Sequence, residues 1–257
     1  MLYTAEIYDA SGTPTAARPA AVEVLTPRAV VLETLETRLP QLFVLPANVG
    51  LTLPVVAAGE VRACIGLLWE SAGWRGALEL WRPYVNGTLR LTGFFYGAEQ
   101  SFALASRQKT FGVLEGLPGL TFDALEPVIF ETLSRTRGFL RAEAAAAAGL
   151  GAGLGVPVMG DRAATCAVLL LSSAASPLAN GFEVWHGDPK SVSLDSSVTL
   201  GSGAEVPGAE SAPTDAEWVR RVFRTREPWL GSCGARLRLA IPVFRGKTVG
   251  SVIVVAG

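Results

Sequence analysis

One pattern occurs three times in this chain and limits what it can fold into. It reads LTLPVVAAGEVRACIGLLW at residues 51–69, GVPVMGDRAATCAVLLL at 155–171 and LAIPVFRGKTVGSVIVV at 239–255. Each copy enters on an apolar residue followed by Pro-Val, reverses at a short polar or glycine-containing turn, and leaves on a β-branched apolar run. That is the signature of a β-hairpin. A proline early in a strand suits a position whose N–H is not needed by the ladder, and the turn glycines supply a geometry that other residues resist. Aligned on their turns, the copies place Cys64, Cys166 and Ser251 at one equivalent position in the exit strand, where a small, nearly apolar side chain suits a packed sheet.

Two more features recur in a fixed order before each hairpin. The first is a short strand with an acid and an aromatic two residues apart: Glu6 and Tyr8, Glu79 and Trp81, Glu183 and Trp185. The second is a helix-like run closed by a turn and an extended segment, at Ala20–Leu35, Gly119–Leu133 and Asp215–Leu230. Val-Leu-Glu-Thr-Leu at 31–35 nearly repeats as Ile-Phe-Glu-Thr-Leu at 129–133, and Glu126-Pro127 repeats as Glu227-Pro228. The expected organisation is three copies of one α/β (α+β) unit over residues 1–72, 73–175 and 176–257, with only the middle copy near full length. The first copy is expected to carry a loop at Ser11–Pro19 in place of a second strand, a helix near Ala20–Leu25 and an extended Ala29–Leu35. In the middle copy, Asn86-Gly87 marks a hairpin turn, Pro127–Leu133 a strand, and Phe139–Ala148 a helix that Gly149 stops. In the third, a helix runs to Thr225, and the loop at 201–213 is expected to be disordered. The spacers at 70–76 and 173–180 hold no helix, so the units are expected to pack as one rigid block through sheet edges or faces.

The middle copy resembles a GAF domain, the α/β ligand-binding or dimerising module of signalling proteins. The resemblance rests on an ordered set: Gly116-Leu117-Pro118-Gly119, the turn before Pro127, Phe139-Leu140-Arg141-Ala142, Ala148-Gly149-Leu150 and Val156-Pro157-Val158. It covers about residues 76–172, and the outer copies share it through their similarity to the middle one. It implies antiparallel GAF/PAS-like sheets with flanking helices, repeated three times. It also implies a pocket in the middle unit under the helix at 139–148, lined by Phe111, Phe122, Phe130 and Phe139, with Glu131, Thr132 and Arg141 as polar handles. The competing account is that these aromatics simply fill a core.

Bulk properties narrow the function. Apolar residues make up 49% of the 257, and 22 basic residues stand against 23 acidic ones without a block of either sign. Neither nucleic acid nor an anionic membrane surface finds a matching charge here. Only three of the basic residues are lysines, which with the abundant alanine and glycine matches high-GC bacterial coding. The start, MLYTAEIYDASG, carries no signal-peptide pattern, so a cytoplasmic location is expected. The uncharged stretch Ala163–Phe182 is interrupted by Ser, Pro and Asn, and reads as a buried strand and turn rather than a membrane span.

No catalytic constellation emerges. His186, the single histidine, reads as a turn residue beside Gly187-Asp188-Pro189, and no Gly-x-Ser-x-Gly elbow accompanies it. The run Gly149–Gly155 follows a helix and precedes a strand, the reverse of a phosphate-binding loop, and reads as a helix stop and tight turn. Cys64, Cys166 and Cys233 lack Cys-x-x-Cys spacing. Free methionine sulfoxide reductases share the family's fold but use pocket-loop cysteines, and only Cys233 reads as a loop residue. The expectation is a non-catalytic regulatory protein without cofactor or metal, acting through a protein partner or self-association. A small-molecule sensor using the middle pocket is the alternative, and a thiol-dependent reductase comes third.

Overall fold

The computed structural model describes residues 1–18, 25–161, 163–200, 214–233 and 236–257. Three antiparallel sheets account for most of it, so the molecule is richer in sheet than an even α/β mixture. The first sheet holds β1 (Leu2–Asp9), β2 (Pro14–Arg18), β3 (Gln41–Val44), β4 (Asn48–Ala57) and β5 (Glu60–Glu70), in the spatial order β2-β1-β5-β4-β3. The second holds β6 (Gly76–Pro83), β7 (Leu89–Phe95), β8 (Thr110–Phe111), β9 (Val128–Phe130), β10 (Leu150–Met159) and β11 (Ala164–Ser173), ordered β8-β7-β6-β11-β10-β9. The third holds β12 (Gly181–Gly187), β13 (Val192–Thr199), β14 (Trp229–Cys233), β15 (Arg236–Arg245) and β16 (Thr248–Ala256), ordered β13-β12-β16-β15-β14. Apart from the extra edge strand β8, the three orders are the same. The helices are α1 (Arg28–Thr37), α2 (Gln100–Arg107), α3 (Gly116–Ala124), α4 (Ala142–Ala147) and α5 (Thr214–Thr225).

The repeated hairpins are β4–β5, β10–β11 and β15–β16, and both of their faces are buried, which is why they read as almost continuous apolar runs. Alternation sends one side of each strand inward. Leu53 and Val55, Val156 and Val158, and Ile241 and Val243 converge on a single core shared by all three sheets. The entry strands β4, β10 and β15 pack against one another there. Pro54, Pro157 and Pro242 line one narrow axial void of about 20 Å³ where the strands meet. The opposite side of each sheet carries its own smaller core: Tyr8, Val31 and Cys64 in the first, Trp81, Phe102, Phe111 and Phe139 in the second, Val219, Val222 and Phe223 in the third.

Sheet edges close the arrangement into a ring. β3 lies beside β7, β9 beside β12 and β13, and β14 beside β1 and β2. Each sheet therefore offers its far edge to the next, and the third returns to the first. Such head-to-tail contacts normally propagate unless the rotation closes, and here it closes after three. The turn ends are linked in the same sense. Arg38 reaches Asp161 at 3.6 Å, Arg245 reaches Glu126 at 2.5 Å, and the Ala58 amide donates to the Gly246 carbonyl at 2.9 Å. The linkers lie in this ring, and the Trp69 indole N–H donates to the Leu178 carbonyl at 2.8 Å across it.

Several local expectations are corrected. Unit one has a second strand, β2, where a loop was expected. Ala29–Leu35 is helical rather than extended, opening directly after Pro27 and burying Val31 and Thr34; the helix expected near Ala20–Leu25 falls almost wholly outside the described residues, as does the loop at 201–213. Strand β9 is shorter than Pro127–Leu133, and α4 spans only Ala142–Ala147. Cys64 is not equivalent to Cys166. Cross-strand pairing matches Pro54 with Cys64, Pro157 with Ala167 and Pro242 with Val252, so Cys166 and Ser251 correspond to Ala63. The three turns are equal in length, since Val56 pairs with Val61, Met159 with Ala164 and Phe244 with Val249; Cys64 stands one residue further along its exit strand than Cys166, and a one-residue slip changes the face. Cys166 accordingly faces the shared core and Cys64 the helix side.

Candidate functional site

The acid–aromatic pattern of the first strand in each sheet has one structural consequence. Residues two apart share a face, and in all three sheets the acid and the aromatic join directly on the helix side. The Tyr8 hydroxyl donates to Glu6 Oε2 at 2.5 Å, and the indole N–H groups of Trp81 and Trp185 donate to Oε2 of Glu79 and Glu183 at 2.8 Å. A buried carboxylate needs further donors, and each sheet finds different ones. Glu6 accepts the backbone amides of Leu25 and Thr26, whereas Glu183 accepts Arg238 of β15 at 2.9 Å.

The middle sheet builds the most enclosed version. Glu79 has no solvent exposure and meets the guanidinium of Arg141, which is itself 3% exposed. Arg141 Nη1 lies 2.5 Å from Oε1 and Nη2 2.9 Å from Oε2, a two-point pairing of planar groups. The Tyr96 hydroxyl adds a donor to Oε1 at 2.8 Å, and Ser106 Oγ of α2 accepts from Nη1. Four rings surround the guanidinium carbon: Phe102 at 4.8 Å, Phe139 at 5.3 Å, and Trp81 and Phe111 at 5.5 Å each. Arg141 Nε is buried with no hydrogen-bond partner among the described residues. Burial alone pushes the Glu79 carboxyl upward, but the adjacent Arg141 charge and the converging donors outweigh it and hold it below the ordinary carboxylate value. Burial first, then the Glu79 charge, drives the Tyr96 phenol upward.

Three of the seven pocket residues expected from sequence therefore meet around one point: Phe111, Phe139 and Arg141. Phe130 stands behind Phe139, with ring centroids 6.2 Å apart. Phe122 is half-buried between this core and the shared one, and Glu131 and Thr132 are exposed on the surface. Glu79, Trp81, Tyr96, Phe102 and Ser106 were not among the expected residues. The recurring Glu-x-aromatic pattern pointed to Glu79, but no local spacing links it to an arginine 62 positions later. Beside the cage an open cleft of about 440 Å³ runs along Lys109, Phe139, Leu140 and Glu143 and ends on Arg141. A second cleft, of about 660 Å³, lies over β7 and α2, with Phe94, Tyr96, Leu104 and Arg107 in its walls.

Gly149, with φ +66°, stops the helix after α4 as expected, but the glycine run from Leu150 onward is a strand and not a tight turn. Its glycines admit α3. A methyl group on Gly155 would lie 2.0 Å from Thr121 Oγ1, and one on Gly153 would lie 3.2 Å from Leu117. His186 is a strand residue pairing with Ser193 and Ser251, not part of a turn; its ring stands 4.0 Å from both Glu126 and Asp195. Cys233 ends β14, paired with Arg236, and so is not a loop residue. Cys64 and Cys166 are buried free thiols, both pushed up to about 12 by burial. No helix among the described residues is long and apolar enough to cross a membrane. The stretch 163–182 forms β11, a turn and the start of β12.

No family model and no curated protein matches the chain. Several solved structures do, and those with the family in their description are GAF domains. A GAF domain of A. aeolicus in an inactive state matches with 14% identity and a TM-score of 0.31, over 38% of this chain and 57% of its own. The GAF domain of an Acinetobacter phosphoenolpyruvate-protein phosphotransferase matches with 20% identity and a TM-score of 0.29, over 39% and 55%. A GAF domain/HD domain protein of Geobacter sulfurreducens matches with 12% identity and a TM-score of 0.34, over 41% and 67%. The chain thus spans little more than half the length of the first two. The family named from the sequence and the family of these structures are the same.

Proposed function

We propose that this chain is a non-catalytic regulatory protein of the bacterial cytoplasm, made of three GAF-like units at 1–72, 73–175 and 176–257. It acts by binding a protein partner or a second copy of itself. The observation that carries this reading is the filled interior of the middle unit. The space between its sheet and helices holds Arg141, Glu79 and four aromatic rings, with Phe111, Phe139 and Arg141, three of the residues expected to receive a ligand, packed together. The inner faces of the sheets are likewise committed to one core. Recognition is left to the outside, where the cleft over β7 and α2 presents Phe94 at 39% and Leu104 at 60% exposure beside Arg107. Aromatic, aliphatic and arginine side chains together are the composition of protein-binding hot spots. The absence of catalysis is part of the proposal, and the two buried thiols support it, since neither supplies a thiolate near neutral pH.

The test is light scattering on the purified protein over a range of concentrations. Self-association that Leu104→Asp abolishes without lowering the melting temperature supports this surface. The open clefts favour one alternative, a small-molecule sensor. A monomeric protein whose melting temperature rises saturably with one member of a metabolite panel would replace the interaction reading with that one.

A further inference from the structure

We propose that the Glu79 cage is a binding site for a planar guanidinium cation, and that the chain occupies it in cis with its own Arg141. Comparison of the three sheets carries this inference. The carboxylate and its partner two residues on recur in all of them with the same internal hydrogen bond. The donor that completes each one does not recur: backbone amides serve Glu6, a strand arginine serves Glu183, and an arginine from the turn before α4 serves Glu79. The acceptor is the constant part of the unit and the donor is the interchangeable part.

The middle cage has the chemistry of a receptor for that donor. Its base is a dehydrated carboxylate offering both oxygens side by side, which matches the two-point fork of a guanidinium and not the point charge of an ammonium. Its walls are four aromatic rings, each within 5.5 Å of the cationic carbon, the arrangement by which aromatic cages hold cations. Tyr96 and Trp81 satisfy the remaining lone pairs of Glu79 from the sheet, so the carboxylate is positioned without help from Arg141. Arg141 enters from outside the sheet, on the Phe139–Ala142 turn that follows Gly138 with its φ of +93°. Its Nε, the atom that joins the fork to the tether, is buried and has no partner among the described residues. The cleft of about 440 Å³ that ends on Arg141 is the path by which an untethered cation would reach the same place.

The experiment is to sever the tether and supply the fork in solution. Arg141→Ala in the full chain removes the cation and opens the cage to the cleft, and methylguanidinium is the probe. The expected result is saturable binding at millimolar concentration, followed by the rise in melting temperature and by the change in total tryptophan fluorescence. The Glu79→Gln/Arg141→Ala double variant should bind at least tenfold more weakly, and the wild-type protein should show no saturable response. Tetramethylammonium, which cannot form the fork, should be much the weaker ligand for Arg141→Ala. Binding should also strengthen as pH rises, because an uncompensated buried Glu79 must ionise to accept the cation. A folded Arg141→Ala protein that ignores methylguanidinium would overturn the proposal, as would equal responses from all three proteins. Should Arg141→Ala not fold unaided, refolding yield from urea becomes the readout. Recovery with methylguanidinium but not with an equal concentration of potassium supports the site, and equal yields refute it. The proposal does not depend on the interaction reading: self-association could fail while the rescue succeeds, and the reverse.

Discussion

Separating the middle unit from its neighbours tests the most consequential feature of the architecture. Residues 73–175 contain a complete sheet with its helices and their own small core, and sequence alone marks them as the best candidate for an autonomous domain. The three-sheet packing argues otherwise. Leu78, Leu80, Leu154, Val156, Val158, Val168 and Leu170 point away from those helices into the core shared with the other two sheets. Fully burying a valine or leucine side chain is worth about 1.5–3 kcal/mol, so exposing all seven forfeits on the order of 10–20 kcal/mol. Neighbours within the same sheet keep part of each side chain covered. Even half the loss, about 5–10 kcal/mol, equals much of the roughly 5–15 kcal/mol by which an ordinary domain is stable. The excised unit also presents a continuous apolar face to solvent, which soluble monomers avoid. Expressed alone, 73–175 should aggregate or self-associate through that face, and show no cooperative unfolding as a monomer. The assay is sedimentation velocity together with urea unfolding followed by tryptophan fluorescence. A monomeric 73–175 that unfolds in one sharp transition would refute the claim that the three sheets share an indispensable core.

Further predictions concern individual side chains. Glu79→Gln leaves Arg141 buried without its counter-charge and should cost about 3–5 kcal/mol, measured by urea unfolding at neutral pH. Because the folded state holds the Glu79 carboxyl below its ordinary value, its contribution is complete above the unfolded carboxylate range and is lost as pH falls through the folded value. Acid unfolding should therefore be less pH-dependent in Glu79→Gln than in the wild type. In a Cys233→Ser background, Cys64 and Cys166 should react with a thiol reagent only as fast as the protein opens. Their pKa values, raised to about 12, are a stabilising contribution that is whole below the ordinary thiol range and declines as pH rises through it. Alkaline urea titrations should show stability falling above about pH 8.5, the unperturbed thiol value, and a folded protein whose two thiols label at the rate of free cysteine would contradict their burial. Gly155→Ala places a methyl group 2.0 Å from Thr121 Oγ1 and should cost roughly 1–3 kcal/mol as an overpacking change. Thr121→Ala in the same chain should recover part of that loss in a double-mutant cycle.

Topology was more legible in this sequence than local conformation. The three hairpins, the acid–aromatic strands and their order were visible as strings, because short apolar runs and the turn glycines that bound them are local signals. Faces were harder. Cys64 and Cys166 look equivalent in the repeated strings, yet in hairpins of equal length Cys64 lies ten residues after Pro54 and Cys166 nine after Pro157, an offset that puts them on opposite sides of their sheets. The near-identical pentapeptides at 31–35 and 129–133 misled in a different way. The first lies within α1, directly after Pro27, and the second runs from β9 into a surface turn. The same letters take different forms because Val31, on the buried face of α1, packs against Tyr8, whereas Phe130 pairs with Gly153 at a sheet edge; the partner and not the propensity decides. For the same reason the site was half visible. Phe111, Phe139 and Arg141 were within reach of sequence reasoning, but Glu79 was assigned to a strand motif and Arg141 to a pocket, with nothing local to join them. The apolar runs of the hairpin strands did carry one signal that constrains the whole molecule. A strand without polar alternation must be covered on both sides, and since the helices among the described residues cover only one side of each sheet, the remaining faces pack against one another. Three such faces, each presented by a right-twisted sheet, meet around an axis rather than in a stack, and that geometry turns three incomplete units into one molecule.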